Sequence, residues 1–214
     1  MDIMIATYHG GIFVKLTMGD TTIAINPISK ESGKKTTRFG SDICLVSANL
    51  DICNGIDQVE NGGRTPYVIS GPGEYEVKGI TFKGVESTFL WDGVNKINTS
   101  YIFNFDGIKI CVLGILQNKL PADVRDVISD CDILILPVLD GKEGGNKFLS
   151  SHDAVVVANN LEPKVIIPVG YDDKTLPIFL KESGEVGKQV IEKLTIKKKE
   201  LDGKDGEVIT LEEI

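Results

Sequence analysis

The chain has 214 residues, 42% of them hydrophobic and 25% charged, with 23 Lys and Arg against 31 Asp and Glu for a net charge of −8. That length buries a sizeable core, and that charge argues against a non-specific nucleic-acid binder, because phosphate contacts need clustered Lys and Arg. No stretch reaches the roughly 20 apolar residues of a membrane span, and the opening "MDIMIATYHGG" lacks the basic-then-apolar pattern of a secretory signal. The expected location is the cytoplasm, with no membrane and no nucleic acid among its partners.

The first 113 residues read as strands. "IMIAT" (3–7), "IFVKLT" (12–17) and "TTIAI" (21–25) form a meander turned by His9-Gly10-Gly11 and Met18-Gly19-Asp20. A basic stretch follows, "KESGKKTTR" at 30–38, read as a solvated loop that can attract an anion through Lys34, Lys35 and Arg38. "DICLV" (42–46), "YVIS" (67–70), "ITFKGVE" (80–86), "SYIFNF" (100–105) and "IKICVLG" (108–114) come next, the last two joined at Asp106-Gly107, where both residues tolerate positive φ. Between them "ISGPGEYEVKGI" (69–80) forces a sharp turn at Gly71-Pro72-Gly73 and sets Glu74 at its tip.

After residue 120 the pattern becomes helical in places. "LPADVRDVI" (120–128) carries Pro121 near a helix start, and "SSHDAVVVANNLEP" (150–163) reads as a helix capped by Ser150 or Ser151. "DILILPV" (132–138) and "KVIIPVG" (164–170) are buried strands, and "TLPIFLKESG" (175–184) is a short helix ending at Gly184. "KLTIKKKEL" and "GEVITLEE" suggest a closing hairpin around "DGKDG", with Lys197–Lys199 on an exposed strand edge. "DICLV", "DILILPV" and "KVIIPV" are continuously apolar, as strands covered on both faces are. The class is α/β (α+β), one domain over 1–214.

Chemistry in such folds gathers at the carboxyl ends of strands. The chain has two histidines, His9 and His152, so a His-rich metal centre is excluded. His9 fits a tight turn, and His152 the surface of a helix's first turn. Asp51, Asp172 and Asp173 offer weak hard-cation donors, with solvated loop carboxylates as the plainer reading. Cys53 is a nucleophile only if its pKa is lowered. Cys44, Cys111 and Cys131 lie in or beside apolar runs and, with no CxxC present, read as buried free thiols. Glu74 could set one carboxylate at a rim, or merely join two strands.

Taken in order, "TTIAINPIS", "SDICLVS", "ISGPGEYEVKGI", "KICVLG" and "EPKVIIPVGY" resemble the metallo-β-lactamase superfamily, in the branch similar to L-ascorbate-6-phosphate lactonase and other Zn-dependent hydrolases. The resemblance spans nearly the whole chain and implies a four-layer αββα sandwich with its site at one edge. It places the family's H-x-H-x-D-H on Ala48-Asn49-Leu50-Asp51-Ile52-Cys53. Ala48, Leu50 and Ile52 then stand for two metal-binding histidines and an aspartate, and Cys53 for the last histidine. Ile115 replaces the bridging aspartate, Gly170 a histidine, and Asn26 the carboxylate of I-D-P.

The expectation is therefore a protein with no metal and no cofactor, a non-catalytic binding or regulatory module for a small molecule or a protein. The alternative is a hydrolase of phosphorylated or lactone-like small molecules with a rearranged site, drawing on Asp51, Cys53, Glu74, Asp172 or His9, and on zinc or manganese where these bind. A homo-oligomer formed through the late hairpin is a third expectation.

Overall fold

The computed structural model describes residues 2–139, 142–143 and 146–214. Strands β1 (Met4–Tyr8), β2 (Val14–Met18) and β3 (Thr21–Ile25) form the antiparallel meander. The first turn needs its glycines, since Gly10 and Gly11 take φ of 85° and 53°. β4 (Ile43–Leu45) and β5 (Tyr67–Ile69) extend this sheet in parallel. The connector at Gly71-Pro72 then carries the chain into a second sheet, where β6 (Gly73–Val77), β7 (Ile80–Trp91), β8 (Val94–Phe105) and β9 (Ile108–Val112) run antiparallel in turn. Helix α1 (Ala122–Ile128) leads into β10 (Ile133–Pro137), which pairs parallel with β9. A two-stranded ribbon, β11 (Lys142–Glu143) and β12 (Asn146–Lys147), precedes α2 (Ser151–Leu161). β13 (Val165–Val169) pairs parallel with β10 and is followed by α3 (Thr175–Glu182).

The strand pleat divides the core between layers. Ile133 and Ile135 of β10 join the core between the sheets, while Leu134 and Leu136 face a second core made with Val124 and Ile128 of α1, Val157 and Leu161 of α2, and Phe179 of α3. Each such side chain contributes about 1.5–3 kcal/mol by leaving water. On the outer face of the first sheet, Cys44 and Val46 pack with Phe13, Ile28 and Val59. There the covering layer is loop with two 3-10 turns, Lys30–Ser32 and Ile56–Gln58, so the three α-helices among the described residues all cover the second sheet. The αββα layering holds, with one outer layer reduced.

A phenol also staples the two sheets together. The hydroxyl of Tyr101 on β8 lies 2.8 Å from the Val46 carbonyl and 3.2 Å from that of Ile69, and it accepts the Gly71 N–H at 3.1 Å. Ser150 caps α2, accepting the Asp153 N–H at 3.1 Å. Glu162 ends that helix in the left-handed region at φ 47°, ahead of Pro163.

Three expectations are corrected. The closing hairpin does not form: β14 (Leu194–Ile196) pairs with β1 in the first sheet, and β15 (Glu207–Val208) with β13 in the second. The lysine run does not prolong β14 but enters a 3-10 turn at Lys198–Leu201, where Lys198 and Lys164 grip the buried carboxylate of Asp132. The strand expected over 80–86 runs on to Trp91 and returns through an unexpected hairpin at Asp92-Gly93, with φ of 49° and 77°. No helix among the described residues is long and apolar enough to cross a membrane.

Candidate functional site

The ends of β3, β4 and β9 meet the middle of β8 at one edge of the sandwich, and two asparagines lock them together. Asn26, buried at φ 53° just past β3, accepts the Ser47 N–H on Oδ1 at 2.8 Å and donates its own N–H to the Leu45 carbonyl at 2.8 Å. Asn98 on β8 accepts the Ile115 N–H at 2.8 Å and donates to the Leu113 carbonyl at 3.0 Å and to Ser87 Oγ at 3.1 Å. Between them Gly114 has φ 71°, and a Cβ there would lie 2.3 Å from Asn98 Oδ1 and 2.6 Å from Ser47 Oγ. Only glycine fits.

The edge enclosed by these clamps is apolar. Ala48, Cys53 and Ile115 are 4%, 0% and 1% exposed and belong to the core between the sheets, with Leu50 and Ile52 packed against it. The Cys53 thiol donates to the Ala48 carbonyl at 3.1 Å, and burial pushes its pKa up to about 12. That is the opposite of an activated nucleophile. Gly170, at the end of β13, has φ 78°, and a Cβ there would lie 2.6 Å from Leu139 Cδ2. Its N–H donates to the Tyr8 hydroxyl at 3.1 Å.

The remaining candidates do not converge. Asp51 is exposed, and its carbonyl accepts from Ser29 N at 2.8 Å, tying it to the neighbouring loop. Glu74 lies within edge strand β6 instead of at a turn tip, opposite Lys83 and 3.7 Å from its amine. Asp172 caps α3 by accepting the N–H groups of Lys174 and Thr175 at 2.9 and 2.8 Å, and Asp173 is exposed. His152 is exposed beside Glu182. His9 is buried in its tight turn, with Nε2 3.1 Å from Thr7 Oγ1 and its ring against Phe13 and Phe39. Burial, aided by Lys15 and Lys35, lowers its pKa to about 4. All four cysteines are free and buried. Among the described residues no group of three His, Cys, Asp or Glu side chains is arranged to hold a metal ion.

Two cavities flank the apolar edge. One, of about 500 Å³, lies against Ile52 and Gly170, with Lys34, Lys35, Tyr171 and Glu213 at its rim. The other, of about 610 Å³, adjoins Ser47, Asn49, Asn54, Lys96 and Thr99. Glu213 and Lys96 were not foreseen from sequence. No local pattern marks them, because each arrives through long-range pairing: the tail by its bridge to Tyr8 and β8 by its pairing with β7.

Residues 6–170 match the family described as the beta-lactamase superfamily domain. The chain belongs to the metallo-β-lactamase superfamily. A proposed Zn-dependent hydrolase of this superfamily from Thermotoga maritima superposes with a TM-score of 0.73 at 27% identity, covering 97% of this chain and 98% of the other. A proposed metal-dependent hydrolase from Parabacteroides distasonis superposes with a TM-score of 0.68 at 16% identity, over 100% of this chain and 94% of the other. For a metallo hydrolase from Ignicoccus hospitalis the values are 0.62 and 16%, over 91% and 99%. The last two share the superfamily's fold. No curated protein matches the sequence.

Proposed function

We propose that this superfamily member, a single domain over residues 1–214, has lost the dinuclear metal centre and acts in the cytoplasm as a non-catalytic binding or regulatory module. One observation carries the reading: the positions that the resemblance assigns to metal ligands hold side chains that cannot ligate or that are sealed into the core. Ala48 and Ile115 are buried hydrocarbon, Leu50 and Ile52 pack on that core, and Gly170 has no side chain and no room for one. A dinuclear centre does not fit these residues. The one soft donor left, Cys53, is a protonated thiol engaged with the Ala48 carbonyl, and a single such ligand does not hold two metals. The apolar filling also removes clustered carboxylates that would otherwise need a cation to offset them.

The names of the Thermotoga and Parabacteroides proteins favour a second reading, a hydrolase, for which the sequence resemblance suggests phosphorylated or lactone-like small molecules and a rearranged site. In the metal-dependent chemistry the ions lower the pKa of a water and polarise the scissile group. Here acid–base catalysis would have to supply that stabilisation. Asp51 and Glu74 are both exposed and belong to different elements, and neither lines either cavity at this edge.

Elemental analysis decides between the two. The protein is purified without chelator and measured directly, then again after incubation with zinc and with manganese. Below about a tenth of an equivalent throughout supports the metal-free reading. Near-stoichiometric metal overturns it.

A further inference from the structure

The 500 Å³ cleft combines features that the loss of a metal centre leaves unexplained. Its floor is apolar, made of Ile12, Ile28, Ile52 and Phe148, and its rim carries Lys34 and Lys35 together with two carboxylates, Glu213 and Asp172, the latter engaged by the N–H groups of Lys174 and Thr175. Lys35 is exposed and makes no ion pair among the described residues. The β1–β2 turn lines the same cleft with Gly10 and Gly11, two residues with no side chain to screen the backbone.

An anionic group already rests on that turn. An added Cβ at Gly10 would lie 2.8 Å from both Cδ and Oε1 of Glu213, so this carboxylate sits directly on the glycine. The tail that brings it is held by a bridge from Glu213 to Tyr8, by the Ile214 N–H donating to the Tyr8 carbonyl at 3.1 Å, and by the Tyr171 hydroxyl donating to the Leu211 carbonyl. Even so, the Glu213 side chain belongs to an exposed residue at the cleft mouth and is not part of the core. A carboxylate supplied by the chain itself thus occupies the mouth of an apolar cleft that has a cation on its rim.

We infer that this cleft binds a small organic anion, its charged head between Lys35 and the Gly10–Gly11 turn and its apolar body on Ile12, Ile52 and Phe148, in competition with Glu213. The inference rests on reading the protein as a metal-free binding module. The recognition follows from the geometry. A head group alone leaves the floor wet, and an apolar body alone leaves Lys35 unused, so the occupant needs both. Glu213 opposes it as a like charge near the same spot, which sets a threshold for occupancy without closing the cleft.

Three probes separate these parts: benzoate carries head and body, inorganic phosphate the head, and benzyl alcohol the body. Amide chemical shifts of the full chain are followed on titration of wild type, Lys35→Gln and Glu213→Gln, each in chelator and again with zinc. Metal-free wild type is expected to bind benzoate about tenfold more tightly than either other probe, to lose about tenfold with Lys35→Gln and to gain about threefold with Glu213→Gln. Equal binding by the three proteins, or benzyl alcohol binding as well as benzoate, overturns the inference. Absence of any shift with and without zinc overturns it alone. Benzoate binding that appears only with zinc overturns it together with the metal-free reading.

Discussion

Replacing Ile115 by aspartate restores the residue that the superfamily resemblance expects there, and the structure gives the cost. Ile115 is 1% exposed within the core between the sheets, the same core that holds Ala48 and Cys53. Removing its hydrocarbon costs about 2 kcal/mol, and burying an unsatisfied polar group adds about 1–3 kcal/mol. Ile115→Asn carries both costs with nearly the same shape and no charge, so it is the reference. Ionisation then separates the two variants. Burial raises the aspartate's native pKa above its unfolded value of about 3.9, so its stability is intact below that pH and falls by about 1.4 kcal/mol per pH unit above it. A native pKa raised by about three units makes Ile115→Asp about 4 kcal/mol less stable than Ile115→Asn at pH 7. Urea unfolding followed by circular dichroism at pH 4, 5.5 and 7, in chelator and with zinc, measures the difference. Equal stability of the two variants at pH 7 would refute the buried, metal-free environment, as would recovery of Ile115→Asp by zinc.

Asp132→Asn removes a carboxylate that accepts the Lys109 N–H at 2.8 Å and meets Lys164 at 2.9 Å as well as Lys198. Because both lysines are partly exposed, the expected loss is about 1–3 kcal/mol at pH 7 by urea unfolding. Burial raises this carboxyl's pKa, but the bonds from Lys198, Lys109 and Lys164 outweigh it and hold the pKa low, so the difference from wild type closes as pH falls below about 3.9. His9, with its pKa lowered to about 4, stays neutral down to that pH. It contributes stability present above its unfolded pKa of about 6.5 and lost as pH falls from there toward 4, up to about 3 kcal/mol. An NMR titration that places the His9 midpoint near 6.5 contradicts its burial. The Cys53 thiol resists iodoacetamide at pH 8 in the native protein and reacts in urea, as read by mass spectrometry of the labelled peptide; rapid native labelling contradicts its sealed position.

Local signals carried well where they were dense. Asp106-Gly107, the Ser150 cap and the apolar runs of β4, β10 and β13 each specify their structure within a few residues. Asp92-Gly93 is the same dipeptide signal as Asp106-Gly107, yet its flanks "STFLW" and "VNKINTS" mix polar and apolar residues without the clear alternation that marks a strand. The pairing that orders them is between β7 and β8 over ten residues of each, Phe82–Trp91 with Val94–Phe103. "DGKDG" misled for the reverse reason. It is good turn chemistry, but Leu194–Ile196 finds its partner in β1 and Glu207–Val208 in β13, and only long-range pairing decides that. At the site, the residues standing at the family's ligand positions were legible one by one. Their merger with the sandwich core was not, nor were the asparagine clamps, because Asn26 and Asn98 act through backbone groups that no residue pattern reveals.

The Tyr101 staple also governs how one connector amide meets solvent. Gly71 sits in a connector, where an amide ordinarily exchanges with solvent deuterium by small local fluctuations. Its N–H instead ends on a hydroxyl that is also within hydrogen-bond distance of the ends of β4 and β5 in the opposite sheet. Freeing that one proton requires the connector to part from a phenol that the Val46 and Ile69 carbonyls hold against the first sheet. The protection factor of Gly71 then reports how firmly one hydroxyl holds the connector at the site edge, and Tyr101→Phe, which removes that acceptor, releases the amide to exchange.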